Sequence, residues 1–437
     1  MSIELITALM FCSLFVGLLL GQPLAFVLSG LGLIYSFFLW GPNAIGIVAL
    51  TVLSAMDTIV LVAVPLFIFM SIVLERSGVA DELYTAMHRW FAGLKGGLGI
   101  GTVLICTLIA AMSGLSATGV ITMGLIALPA MLKRKYSKSM AIGCVMGAGA
   151  LGQLIPPSGI MIVFGAYAGE SVGRLFAGGV FPGLVISALF CTYIAIRCAI
   201  QPNMGPALPV EERANWRGKL VSLRGVILPI ILIAMVLGSI FLGMATPTEA
   251  ASIGAVGSLL CAAIHGRLNW EVVKGACART LRSTCMCMFI IIGAKCFASV
   301  YTALGGAELI QSIVLAMPGG KWGSLALMQV VWLFLGCFLD GIGILMLTGP
   351  VFVPVARLLG FNITWFGVVF VVNMEMGFLT PPFGFNLFIM KGIAPEGVTL
   401  KDIYRSTVPF LLLQFTGLIL VILFPQLILW LPTQLYG

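Results

Sequence analysis

The chain has 437 residues, 60% of them hydrophobic and 9% charged, with a mean hydropathy of +1.15 and a formal charge of +8. So much apolar surface excludes a soluble domain and implies a polytopic, all-α membrane protein. The positive charge sits in short loops between apolar runs, where it acts as an orientation signal and not as a footprint for nucleic acid.

Apolar runs of spanning length cover 3–20, 23–40, 61–74 (extended backward by 44–60), 140–164, 175–196, 223–243, 249–265, 285–304, 362–390 and 408–431. The first has neither a basic start nor an evident cleavage site and is expected to be a retained helix. Two further regions, 97–132 and 322–357, are too long for one span and are interrupted by small and polar residues. Four basic groups fall between the runs. They are Arg76, Arg89 and Lys95; Lys133, Arg134, Lys135 and Lys138; Arg197, Arg213, Arg217, Lys219 and Arg224; and Arg267, Lys274, Arg279 and Arg282. The excess of cations places all four in the cytoplasm, while the cation-poor loops around 165–174 and 305–321 face outward.

Both ends of 97–132 then lie inside, and by alternation both ends of 322–357 lie outside. Each region is expected to be a re-entrant helical hairpin, one opening to each side. The halves are therefore predicted to be inverted repeats. The weak echo of Gly78, Ala80, Glu82 and Leu83 by Gly305, Ala307, Glu308 and Leu309 agrees with this. The expected domains are N-terminal scaffold helices over 1–60, a first repeat over 61–198 and a polar cytoplasmic linker over 199–222. A scaffold helix pair with its cytoplasmic connection covers 223–285, and a second repeat covers 286–437. Both termini are predicted to be outside.

Each half also holds a broken helix. Gly152-Gln153-Leu154-Ile155-Pro156-Pro157-Ser158-Gly159 recurs 225 residues later as Gly377-Phe378-Leu379-Thr380-Pro381-Pro382-Phe383-Gly384, and Pro129 recurs as Pro354. A Pro-Pro pair removes two backbone donors and disfavours the helical conformation before it. Freed carbonyls at membrane depth need partners. Two breaks at corresponding points of two halves mark a transporter binding site. The eleven cysteines are scattered through apolar stretches as small packing residues. His88 and His265 sit beside Arg89 and Arg267 at membrane edges, without a chemical role.

These residues resemble the large membrane subunit, DctM-like, of a tripartite ATP-independent periplasmic (TRAP) transporter. The marks are Ser113-Gly114-Leu115-Ser116-Ala117-Thr118, Pro156-Pro157-Ser158, Ala245-Thr246-Pro247-Thr248-Glu249-Ala250, Asp340-Gly341 and Leu379-Thr380-Pro381-Pro382. The resemblance covers essentially the whole chain. It implies the bacterial inner membrane, a DctQ-like small membrane subunit as heterodimer partner and a soluble DctP-like periplasmic substrate-binding protein. It also implies sodium as coupling ion, elevator-type movement of a transport domain against a scaffold, and cargo that is a small organic acid, a carboxylate or sulfonate. No other cofactor is expected.

Sodium is a hard cation that needs several oxygens, which frayed helix ends and hydroxyls supply. The expected first sodium site is Ser113, Gly114, Ser116 and Ala117 of the first hairpin tip with Gly152, Pro156 and Ser158 of the first break. The plain alternative is that small residues here only permit close packing. The second site is expected at Asp340 and Gly341, with Thr348 beyond that tip and Asn373, Met376, Gly377, Thr380 and Pro382 near the second break. Asp340 is an ion-site candidate because an ionisable group in a membrane hairpin is costly; capping a half-helix is its alternative. Glu375 either supports an ion site or bonds broken-helix amides. Lys295, inside an apolar run, either meets an anionic substrate, pairs with Asp340 or Glu375, or snorkels to the edge. The predicted substrate contacts are Ser116, Ser158, Thr380 and Lys295. Thr246, Pro247 and Glu249 have the spacing of a capping box.

No acid–base constellation can be assembled, so an enzyme is not expected. A channel is disfavoured because two unwound helices and two opposed hairpins suit alternating access. The competing function is a sodium-coupled anion symporter of another hairpin-containing family that works without a binding protein.

Overall fold

The computed structural model describes residues 2–42, 44–91, 93–207, 209 and 215–437; Arg213 of the linker lies outside the described residues. The described residues form 21 α-helices and no strand. The chain opens with α1 (Ile3–Leu19), α2 (Leu24–Trp40) and α3 (Ala44–Met56), and a 3-10 turn over Ile59–Val62 leads into α4 (Ala63–Arg76). The amphipathic α5 (Val79–Phe91) precedes a hairpin of α6 (Gly97–Ser113) and α7 (Ser116–Lys133). Next come α8 (Lys138–Ala150) and α9 (Gly159–Ala168), two arms separated by the first Pro-Pro pair, and the long α10 (Val172–Ile200). The middle of the chain holds α11 (Trp216–Ser222), α12 (Arg224–Phe241), α13 (Pro247–Ile264) and α14 (Trp270–Ala303). The same order then recurs. A short α15 (Gly306–Leu315) precedes a hairpin of α16 (Gly320–Gly336) and α17 (Gly341–Leu358), the arms α18 (Ile363–Leu379) and α19 (Phe385–Ile393), and the long α20 (Leu400–Leu423); α21 (Gln426–Tyr436) ends the chain. Both Pro-Pro bonds are cis.

Among the described residues, seven helices are long and apolar enough to cross a bilayer. The second arm of each hairpin, α7 and α17, is among the seven; the first arms, α6 and α16, and the broken arms α8, α9, α18 and α19 are shorter. Each hairpin has its two ends together. At the first, Leu98 N donates to the Tyr136 hydroxyl at 3.2 Å. At the second, the rings of Trp322 and Phe361 are 5.9 Å apart.

The basic groups gather on one face. Gly96 N donates to Gly205 O at 2.8 Å and Ser137 N to Met204 O at 3.1 Å. Trp90 Nε1 donates to Lys219 O at 3.1 Å, and Arg279 meets Glu75 at 3.2 Å. These contacts put the ends of the first hairpin beside the C-terminal end of α10. The ends of the second hairpin sit at the opposite end of α10, where Arg357 donates to Ala168 O and Thr364 to Glu170. With 29 residues, α10 is about 43 Å long at about 1.5 Å per residue, enough to separate two membrane faces.

Two expectations need correcting. The basic stretch after Arg267 is not a loop: Lys274, Arg279 and Arg282 lie on the first turns of α14, which has 34 residues and is N-capped by Asn269. No Gly-Pro signal stops it, and at about 51 Å it outreaches a hydrocarbon core of about 30 Å, so its basic start projects beyond the apolar layer. Residues 44–56 do not extend the following span but form α3; only the turn from Ile59 joins it. Within the linker, the first residues pack under the first hairpin through Met204 and Gly205, and α11 forms. The capping box at Thr246 and Glu249 is present, with Pro247 at the helix start.

Candidate functional site

The two halves meet around a partly open cavity of about 220 Å³. The first hairpin tip lines it with Ser113, Gly114, Leu115, Ser116 and Ala117, and the first break with Gln153, Pro157, Gly159 and Ile160. The second half adds Asp340 and Ile342 from its hairpin tip and Phe378 and Phe385 from either side of its break. Val64, Phe67 and Ile68 of α4 and Ser283, Met286, Cys287 and Ile290 of α14 close the far side.

Each tip opposes its break through backbone. Gly114 turns the first hairpin at φ 61°, where L side chains are strained, and a Cβ on it would come 2.2 Å from Pro157 O. A Cβ on Gly152 would come 2.5 Å from Leu115 O. In the second half a Cβ on Gly377 would come 2.8 Å from the Cα of Gly336. Small residues at these places are thus required by close approach, and the same approach brings freed backbone groups together.

Four helices start at the cavity: α7 at Ser116, α9 at Gly159, α17 at Gly341 and α19 at Phe385. The first amides of a helix lack intrahelical partners and carry about half a positive elementary charge between them. Two of the four starts are capped by side chains. Ser158 Oγ accepts from Met161 N at 3.3 Å and itself donates to Gln153 O. Asp340 Oδ1 accepts from Ile342 N at 2.9 Å and Oδ2 from Gly343 N at 3.4 Å. The starts of α7 and α19 have no side-chain cap.

Polar side chains tie the halves together. Ser116 Oγ donates to Asn386 Oδ1 at 3.0 Å and accepts from its Nδ2 at 2.7 Å, joining the two uncapped starts. Glu375 is fully buried on α18; its Oε1 accepts from Leu154 N in the first break at 3.1 Å and its Oε2 from Gln414 Nε2 on α20 at 2.7 Å. Asn373 Nδ2 donates to Gln329 O at 3.0 Å and Gln329 Oε1 at 2.8 Å. Three buried amide oxygens among the described residues are left without a partner: Gln153 Oε1, Asn373 Oδ1 and Gln414 Oε1. Gln153, like Ser113 and Ser116, lines the cavity.

The predicted site residues therefore divide. Ser113, Gly114, Ser116 and Ala117 face the cavity; Gly152, Pro156 and Ser158 are buried in the first break behind it. Asp340 reaches the cavity while capping α17, and Gly341 is the first residue of that helix. Asn373, Met376 and Gly377 are buried on α18 outside the cavity lining. Thr380 bonds Met376 O at 2.8 Å, and Pro382 is exposed, its carbonyl accepting from the Tyr404 hydroxyl at 2.7 Å. Neither Thr380 nor Pro382 lines this space. Thr348 is about two turns beyond the tip and faces a different, apolar cavity. Lys295 does not reach the site: it is half-buried on α14 outside the lining, and among the described residues it pairs with neither Asp340 nor Glu375. From the cavity residue Ile290 to Lys295 a helix turns about 500°, which points the lysine elsewhere. The sequence reading missed Asn386 and Gln414. Their signal was a single amide in each of the apolar runs of α19 and α20.

Among the described residues no three His, Cys, Asp or Glu side chains gather as metal ligands. The available donors are oxygens, neutral apart from the Asp340 carboxyl, which suit a hard cation and not a transition metal.

The family described as "Tripartite ATP-independent periplasmic transporter, DctM component" matches residues 11–427. A C4-dicarboxylate TRAP transporter large permease protein of Pseudomonas aeruginosa is 34% identical over 410 residues, 93% of this chain and 94% of that one. Its counterpart from Vibrio cholerae is 33% identical over 456 residues, 98% of each. The YdaH transporter of Alcanivorax borkumensis shares the fold, with a TM-score of 0.61 at 13% identity over 94% of this chain and 97% of that one. The chain is a multi-pass membrane protein, not an enzyme, and belongs to the DctM family, the large permease components of TRAP transporters.

Proposed function

We propose that this permease takes up a small organic anion with sodium, and that the anion is held between the starts of α7 and α19. The observation that carries the reading is the meeting of four helix N-termini at one cavity, two of them uncapped. Half-helix N-termini attract carboxylate or sulfonate without a full cation nearby, so the role expected of Lys295 passes to backbone amides, Ser116 and Asn386. The C4-dicarboxylate named for the related permeases has the matching charge. Sodium is assigned to the oxygens around it. The first ion takes Gln153 Oε1 with the Ser113 and Ser116 tip and the Gly152, Pro156 and Ser158 break. The second takes Asn373 Oδ1 with Met376, Gly377 and Thr380 behind the Asp340 and Gly341 tip. Orphaned buried acceptors support both assignments.

The hairpins and broken helices, as inverted repeats, would move as one body past α4, α12, α13 and α14. The basic face would lie in the cytoplasm of the inner membrane and both termini in the periplasm. A small membrane subunit would brace the scaffold, and a periplasmic binding protein would deliver the cargo. The test is uptake by proteoliposomes containing the two-subunit complex, with the binding protein, a sodium gradient and a panel of dicarboxylates and sulfonates. Uptake that follows the sodium gradient supports the reading. Uptake of equal rate without sodium overturns the coupling, and uptake of equal rate without the binding protein favours a stand-alone symporter.

A further inference from the structure

We infer that the second hairpin carries a binding site for one phospholipid acyl chain. A cavity of about 580 Å³ lies between α1, α14 and α15 on one side and α16 and α17 on the other. It is distinct from the site above and shares no lining residue with it. Thirteen of its fifteen lining side chains are pure hydrocarbon, the exceptions being Tyr301 and Thr348. Both hydroxyls are engaged with their own surroundings. Tyr301 donates to Leu347 O at 3.4 Å. Thr348 donates to Ile344 O at 2.8 Å and accepts from Trp332 Nε1 at 3.0 Å. The walls therefore offer nothing to water. At about 30 Å³ each, about 19 waters would fill the space without a partner among them from the protein, and apolar cavities of this kind stay dry.

The occupant must then be apolar, and its shape is limited. The mouth is framed by Ile313, Val330 and Phe334, each more than half exposed on the outer surface. An α-helix is about 10 Å across with its side chains, so the cavity would hold barely a turn and a half of one. A helix of a partner or of a second copy could cover the mouth but not fill the space. A single hydrocarbon chain is narrow and flexible, and the bilayer supplies it at that depth. Inside, it would lie against Phe352, whose ring packs on Trp332 at 5.6 Å, and Trp332 holds Thr348 of α17. The chain would thus brace the hairpin from its apolar side.

The experiment is photolabelling of the two-subunit complex in phosphatidylcholine bilayers doped with phosphatidylcholine bearing a mid-chain diazirine. Labelled peptides are then mapped by mass spectrometry. The expected result is several-fold enrichment of adducts on 310–314, 327–334 and 347–352 over the exposed Phe26 and Phe38 of α2. In Val331→Trp, which fills the cavity, that enrichment is lost while α2 labelling is unchanged. Should that variant not fold, the milder Leu347→Phe makes the same comparison, and the wild-type pattern stands by itself. Labelling no stronger than on α2 overturns the site. So does labelling seen in the isolated chain but absent from the complex, which assigns the face to the small subunit.

Discussion

Glu375 is a carboxylate with no cation beside it, buried where an uncompensated charge is expensive. Its two oxygens instead close a bridge between the first break and α20, so its role is to position Leu154 and, through it, the break. In Glu375→Gln the amide oxygen keeps Leu154 N, and Gln414 can turn its partnerless Oε1 toward the new NH₂. That variant is expected to melt close to wild type with an unchanged sodium activation curve. Glu375→Leu strands the Leu154 amide and Gln414 and is expected to lose about 2–5 kcal/mol of stability. Thermal melting of both variants in detergent checks this; a lost sodium response in Glu375→Gln would put the carboxylate in an ion site. For Asp340 the separation runs the other way. Asn caps a helix as well as Asp does, so Asp340→Asn should fold normally. Its half-saturating sodium concentration should rise about tenfold to a hundredfold, the weight of a lost charge near an ion in a low-dielectric site. Ser116→Ala breaks the link to Asn386 and should weaken both sodium and anion binding. Unchanged sodium curves in Asp340→Asn and Ser116→Ala at normal expression would leave Asp340 a cap and nothing more.

At the scale of elements, each tip is held to its break by backbone packing. Gly377→Val would force side-chain atoms into the Cα of Gly336, and neither backbone can retreat within buried helices. Overpacking of this kind costs about 1–3 kcal/mol. The expectation is a lowered melting temperature together with a hairpin tip more open to labelling by a thiol reagent at Leu339→Cys. A full-strength melt and unchanged labelling would show that the tip is not clamped there. The elements themselves were legible in sequence. Pro-Pro pairs, Gly114 and Asp340-Gly341 are local signals, and local backbone chemistry places a break wherever they occur. The length of α14 was not legible, because Lys274, Arg279 and Arg282 look like a loop when judged by charge. A helix accepts long basic side chains at no cost once it has left the apolar layer.

For the molecule as a whole, the elevator reading demands that the cavity travel relative to α4 and α14. A cross-link between Ala117→Cys on the first tip and native Cys287 on α14, with the other ten cysteines replaced, ties the two sides of the cavity. Cross-linked complex in proteoliposomes is expected to bind its anion once and to complete no further cycles; reduction should restore them. Sustained uptake by the cross-linked form would leave local opening of the hairpins as the mechanism. The scaffold helix α12 packs chiefly on α13 and α5 and is less suited to the test.

By itself the sequence determined that the chain is all-helical and membrane-embedded, and where its helices break. These follow from hydropathy, proline geometry and the placing of cations, each of which acts within a few residues. Only the tertiary structure decided which polar groups meet. Ser116 and Asn386 are 270 residues apart, and Glu375 and Leu154 are 221 apart. No local rule pairs them; the crossing of the halves does. The same packing turned Lys295 away from the cavity and left two helix starts uncapped within it, so the positive end of the site is backbone, which a search for charged side chains does not find.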